Sequence, residues 1–130
     1  MGGMKMSKKK ILLVDDEESL CRVLKLNLEE TGVYEVKTES KGNRALAVAR
    51  AFKPDLIILD FVMPDIDGGT LLNQLKGDEV TKNTPVIFLT AIASKDDSAE
   101  NVICGHFILA KPVPFDKLVQ SIEEKLVPNS

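Results

Sequence analysis

Long apolar runs are missing from this sequence of 130 residues, as are tryptophan and any excess of basic charge. Without about 20 consecutive apolar residues no segment spans a bilayer as a helix, so no membrane association is expected. Lysine and arginine number 17 against 20 acidic residues, for a formal charge of -3. No basic face dominates, which argues against direct nucleic-acid binding. The one basic cluster, Lys5, Lys8, Lys9 and Lys10, reads as a solvated leader. Followed by Ile11 to Val14 it resembles a secretion signal only superficially, because the apolar part is short and ends in four acids. Cysteine is scarce too. Cys21 and Cys104 lie far apart without metal-ligand spacing, which predicts two buried, reduced thiols in a cytoplasmic protein. There is no Walker-type phosphate loop, glycine-rich dinucleotide fingerprint, internal repeat or low-complexity stretch.

What the sequence does contain is an alternation of strand and helix signals in a chain long enough for one domain with a proper core. Ile11–Val14, Leu56–Leu59, Val86–Leu89 and Phe107–Ala110 are short apolar runs bounded by turn signals, the pattern of buried strands. Tyr34-Glu35-Val36-Lys37 alternates like a half-buried strand at a sheet edge. Leu20, Val23, Leu24 and Leu28 recur at helical spacing, with Gly32 as the stop. Ala45, Val48, Ala49 and Phe52 mark a second helix ended by Pro54, and Asp55 to Leu59 the third strand. A helix around Leu71, Leu72 and Leu75 follows a turn-rich loop. Between Ala91 and Cys104 the signal is weak, with Ala99, Val102 and Ile103 on one side of a short helix. Phe115, Leu118, Val119, Ile122 and Leu126 give the cleanest amphipathic helix, with Lys117, Glu123, Glu124 and Lys125 on its solvated face. Five β/α units with nearly continuous apolar central strands predict an α/β fold: a doubly wound five-stranded parallel sheet with helices on both faces.

Each polar residue with chemical potential stands where an apolar run stops: Asp15 and Asp16, Asp60, Thr90, and Lys111 before Pro112. In a parallel sheet these converge at the carboxyl edge, where open α/β sheets bind ligands. Asp15, Asp16 and Asp60 together repel one another, by about 4 kcal/mol per pair at 4 Å and intermediate dielectric. A divalent cation relieves this, and all-oxygen ligation favours Mg²⁺ or Mn²⁺ over zinc. Asp60 is a candidate nucleophile towards phosphorus, forming an acyl phosphate, with Thr90 as hydrogen-bond donor and Lys111 as positive charge. Glu17 and Glu18 read as acids favoured in the first turn of a helix. Asp65 and Asp67 read as turn formers rather than cation ligands. His106, the only histidine, reads as the start of a strand, with a phosphohistidine site as the alternative.

From Lys9 to Leu126 the chain resembles the receiver domains of two-component response regulators. The likeness rests on Leu12-Leu13-Val14-Asp15-Asp16-Glu17, Asp60 through Gly68, Leu89-Thr90-Ala91 and Ala110-Lys111-Pro112, in that order. It implies a flavodoxin-like strand order 2-1-3-4-5, with residues 1–8 a disordered leader, 9–127 the receiver and 128–130 a tail. It also implies that Asp60 accepts a phosphoryl group from a phosphohistidine on a sensor histidine kinase or phosphotransfer protein. Asp15, Asp16, Asp60 and the backbone carbonyl of Val62 would hold Mg²⁺. Thr90 would move toward the phosphate, Lys111 would pair with it, and the small Ala91 would leave access. A cis Lys111–Pro112 bond is a further implication. The readout surface would be the fourth helix, fifth strand and fifth helix, approximately Asp96 to Val127, toward a downstream partner or output domain. The kinase would dock near the first helix, and the protein would be a monomer or a weak phosphorylation-dependent dimer, not a turnover enzyme. No output domain is expected within the chain, which leaves a stand-alone receiver and a piece of a longer regulator both open.

Departures from the family pattern are equally specific. Ile108 stands where receivers usually carry an aromatic residue, with Phe107 beside it, so an aromatic gate there is excluded. The hypothesis is that Thr90 and the following loop carry the switch; identical loop and fourth-helix conformations with and without a phosphoryl mimic would remove it. Val62 and Ile92 are apolar where family members influence water access, and are expected to prolong the phosphorylated state; polar substitutions that left the dephosphorylation rate unchanged would refute this. Three rival readings fit the residues less well. An Asp-nucleophile phosphatase of the haloacid dehalogenase type wants a second acid where Val62 stands, and a cap domain. A flavodoxin-like nucleotide binder would place repelling acids at its phosphate loop. A pseudo-receiver would lack phosphoryl uptake.

Overall fold

Three central strands, β1 (Lys9–Val14), β3 (Leu56–Asp60) and β4 (Val86–Thr90), carry almost unbroken runs of buried residues because both of their faces are covered. The computed structural model describes residues 7–91, 102–103 and 106–126. β2 (Tyr34–Glu39) pairs with β1 at one edge, and β6 (His106–Ala110) pairs with β4 on the other side. All these pairings are parallel, in the order β2-β1-β3-β4-β6. This is the predicted 2-1-3-4-5 order. One strand was not foreseen: β5 (Val102–Ile103) adds antiparallel to the outer side of β6. Two residues carry too little periodicity to be read, and this β-branched pair, expected on a helix, favours a pleated backbone. The rest of the helix expected between Ala91 and Cys104 lies outside the described residues.

Alternation along the strands sends successive side chains to opposite faces. Ile11, Leu13, Ile58 and Leu89 pack with Cys21, Leu24 and Leu28 of α1 (Glu18–Glu30) and with Leu118 and Ile122 of α4 (Phe115–Leu126). Leu12, Val14, Leu59 and Phe88 pack with Ala45 and Ala49 of α2 (Ala45–Phe52) and with Leu71, Leu72 and Leu75 of α3 (Gly68–Lys76). Each fully buried aliphatic side chain contributes about 1.5–3 kcal/mol relative to exposure. The sheet is therefore a stiff base for the polar groups at its rim.

Helix ends follow the turn chemistry. Gly32 takes φ 85° just past α1, and Lys53 at φ 55° ends α2 ahead of Pro54. Two local expectations are corrected. Val23 is 54% exposed, and the buried stripe of α1 is Cys21, Leu24 and Leu28, an i, i+3, i+7 series. The third strand runs Leu56–Asp60 rather than Asp55–Leu59, because Asp60 still pairs in register with Leu89. The β2 edge alternates as predicted, and Val36 on it is clamped by α1: its N–H donates to Glu29 Oε2 at 3.0 Å and its carbonyl accepts from Lys25 Nζ at 2.8 Å. Side-chain pairing of this kind blunts an otherwise open sheet edge.

Candidate functional site

Parallel register brings the strand ends level at one edge of the sheet. Val14 is opposite Leu59, Asp60 opposite Leu89, and Thr90 opposite Ala110. The N–H of Lys111 donates to the Thr90 carbonyl at 3.0 Å, which ties the end of β6 to the end of β4. Asp15, Asp60 and Thr90 are buried there, while Asp16 is exposed at the mouth. The Lys111–Pro112 peptide is cis.

The Asp60 loop is held by packing on both sides. The Phe61 ring stands edge-on to Phe88, with centroids 5.2 Å apart. Gly68 donates its N–H to the Phe61 carbonyl at 2.8 Å, and a Cβ on Gly68 would come within 2.8 Å of Phe61 Cα. Only glycine allows that approach. Val62 bridges to Asp67 and donates its N–H to Asp60 Oδ1 at 3.1 Å. Asp67 caps α3 by accepting from Thr70 N at 2.8 Å, and Asp65 accepts from Asn43 N at 2.9 Å. Both acids are thus turn and cap residues, as expected.

Lys111 Nζ is the hub. It lies 2.9 Å from Asp15 Oδ2, 2.8 Å from Glu17 Oε1 and 3.4 Å from Asp60 Oδ2. The Asp15 contact is an ion pair with the fully buried Oδ2. Oxygens from Asp15, Asp16 and Asp60 all lie within 4.8 Å of one another. Three carboxylates, Asp15, Glu17 and Asp60, therefore face one ammonium, with Asp16 beside them. Burial, then the charge of Asp15, raises the Asp60 pKa to about 6, although the Val62 N–H and Lys111 pull it down. Burial also works against the Lys111 charge, but the contacts with Glu17 and Asp15 and the charge of Asp60 more than offset it and raise its pKa. Three carboxylates offering oxygens this close together, two of them buried, form a hard-donor set that fits a metal ion.

Of the site residues read from the sequence, the structure brings Asp15, Asp16, Asp60 and Lys111 together, with the Val62 N–H on Asp60 and Thr90 at the neighbouring strand end. Glu17 was misread. It is the residue preceding α1, makes no side-chain cap, and turns its carboxylate to Lys111, 94 positions away. Glu17 is still extended at φ -83° and ψ 96°, so it stands before the first turn of α1. Cys21 is buried and its thiol donates to the Asp15 carbonyl at 3.4 Å; burial, then the Asp15 charge, pushes its pKa up to about 12, so it stays a thiol. Val62 exposes about half its side chain beside the site. Ile92 and Cys104 lie outside the described residues, and Ile108 is half-buried against the α2–α3 core.

The fold recurs in known proteins. Residues 11–123 match the response regulator receiver domain family. The chain belongs to that family. This receiver is 44% identical over 95 residues to the alkaline phosphatase synthesis transcriptional regulatory protein PhoP of Bacillus subtilis, covering 73% of the chain and 37% of PhoP. It is 32% identical over 120 residues to the polar-differentiation response regulator DivK of Brucella ovis, covering 91% of the chain and 96% of DivK. It spans 23% of the response regulator PleD of Caulobacter vibrioides, so several of these relatives are much longer than the matched receiver. Among solved structures, the receiver domain of Francisella response regulator 1452 superposes with a TM-score of 0.77 at 30% identity, over 92% of this chain and 97% of that one. The Vibrio cholerae chemotaxis protein CheY4 gives 0.78 at 28% identity, over 92% and 100%. Receivers are signalling domains, and no helix among the described residues is long and apolar enough to cross a membrane.

Proposed function

We propose that this receiver, residues 9–127, accepts a phosphoryl group on Asp60 from a phosphohistidine of a sensor histidine kinase or phosphotransfer protein. The observation that carries the reading is the 3.4 Å approach of Lys111 Nζ to Asp60 Oδ2 within a cluster of three aspartates. Asp15, Asp16, Asp60 and the backbone carbonyl of Val62 would hold Mg²⁺, or Mn²⁺ in its place. The cation supplies charge neutralisation between carboxylates and phosphoryl oxygens.

The protein's own residues do the rest. With a pKa near 6, Asp60 is mainly ionised at pH 7 and attacks phosphorus directly, without a separate base. A new O–P bond forms, the P–N bond of the phosphohistidine breaks, and the imidazole keeps the electron pair. Thr90 and Lys111 meet the phosphoryl oxygens with a hydroxyl and an ammonium. Two added charges would be read by a downstream partner or output domain through the Asp96–Val127 surface, of which residues 102–103 and 106–126 are among those described. Leu20, Leu24 and Val113 line an apolar cleft running from α1 to Lys111, which suits docking of the phosphodonor protein. The domain acts in the cytoplasm, as a monomer or weak dimer, and turns over only its own acyl phosphate.

Incubation with Mg²⁺ and a small acyl phosphate, followed by intact mass, tests this. A gain of one phosphoryl group that needs Mg²⁺ is expected. No gain under any condition would leave a pseudo-receiver.

A further inference from the structure

We propose that Glu17 is a positioning residue that holds the Lys111 ammonium beside Asp15, so that Lys111 pairs with a phosphorylated Asp60 only in competition with Glu17. The inference rests on the phosphoacceptor reading of Asp60. Its basis is the order of distances at Nζ: 2.8 Å to Glu17, 2.9 Å to Asp15 and 3.4 Å to Asp60. The two short contacts go to groups that receive no phosphoryl, and the long one goes to the group that does.

The three partners are not equivalent. Asp15 and Asp60 are buried at strand ends, whereas the Glu17 side chain is 56% exposed at the start of α1. Glu17 is therefore the partner that Lys111 can release to water most cheaply, because an exposed carboxylate is readily solvated. A phosphoryl group on Asp60 brings roughly two negative charges into reach of the ammonium and displaces Glu17. In the resting protein Glu17 keeps Lys111 oriented at the rim; on phosphorylation its hold is the contact that must break. Glu18, the next residue, carries the same charge but borders a separate cleft with Arg22 and Lys25.

The test compares rates of phosphoryl uptake from a small acyl phosphate with Mg²⁺ for wild type, Glu17→Gln and Glu18→Gln, each also combined with Lys111→Ala. Glu17→Gln is expected to react about two- to fivefold faster, the scale of one exposed ion pair. Glu18→Gln should match wild type, and the Glu17→Gln gain should vanish in the Lys111→Ala background. Equal gains in Glu17→Gln and Glu18→Gln, or a gain that persists without Lys111, would mean simple relief of repulsion on the donor and would overturn the proposal. Wild type that takes up no phosphoryl group would instead refute the phosphoacceptor reading. A crystal structure of Glu17→Gln then decides the positioning role: Nζ shifted toward Asp60 supports it, and Nζ unmoved overturns it.

Discussion

Lys111 and Asp60 are 51 residues apart in the chain, yet the lysine ammonium reaches to 3.4 Å from the aspartate carboxylate. Their meeting depends on two consecutive parallel pairings, β3 with β4 and β4 with β6. No local feature of either segment would produce it. The sheet is the device that converts four separate chain positions into one site, and the receiver's chemistry follows from its register.

Burial of Asp60 has a stability consequence. A carboxyl whose folded pKa is raised from 3.8 to about 6 binds its proton more tightly when folded. Its ionisation therefore costs stability progressively as pH rises from about 4 to 6, and by a constant amount above that, on the order of 2–3 kcal/mol. In chelator-treated protein, Asp60→Asn should raise the melting temperature at pH 7 and leave it nearly unchanged at pH 3.5. An equal shift at both pH values would contradict the burial argument.

Exposed Asp16 offers a clean handle on the cation, because its carboxylate can be altered without touching the core. Mg²⁺ at a hundredfold excess over its dissociation constant should stabilise wild type by about 2.7 kcal/mol. Asp16→Asn should fold normally and need markedly more Mg²⁺ for the same rise in melting temperature. Identical Mg²⁺ titrations for the two proteins, followed by thermal melts, would remove Asp16 from the site.

Gly68 is fixed by backbone contact, since an added Cβ would approach Phe61 Cα to 2.8 Å and its carbonyl oxygen to 2.9 Å. Neither atom can swing away as a side-chain tip could. Gly68→Ala should cost about 1–3 kcal/mol in urea unfolding. It should also slow phosphoryl uptake by displacing the Asp60–Val62 segment. Wild-type stability in Gly68→Ala would show that the loop yields more easily than its packing on Phe88 implies.

How much of this was legible beforehand divides along a physical line. Asp15, Asp60, Thr90 and Lys111 could be placed because each follows an apolar run, and strand ends in a parallel sheet share one edge. Tyr34 and Val36 declared their face by alternating with Glu35 and Lys37. Glu17 could not be placed by the same means: acids suit a helix's first turn, and that local rule hid a partner 94 residues away. Val23 failed for a related reason, since two adjacent stripes of α1 carry apolar residues and only packing decides which is covered. β5 is too short to show any period.

The central claim is that this convergence makes Asp60, and no neighbouring acid, the phosphoryl acceptor. Borohydride reduction of the acyl phosphate converts the modified aspartate to homoserine, and peptide mapping by tandem mass spectrometry then locates it. Homoserine at position 60 alone, dependent on Mg²⁺ and on the phosphodonor, is the predicted result. Homoserine at position 15 or 16, or none anywhere, would contradict the account.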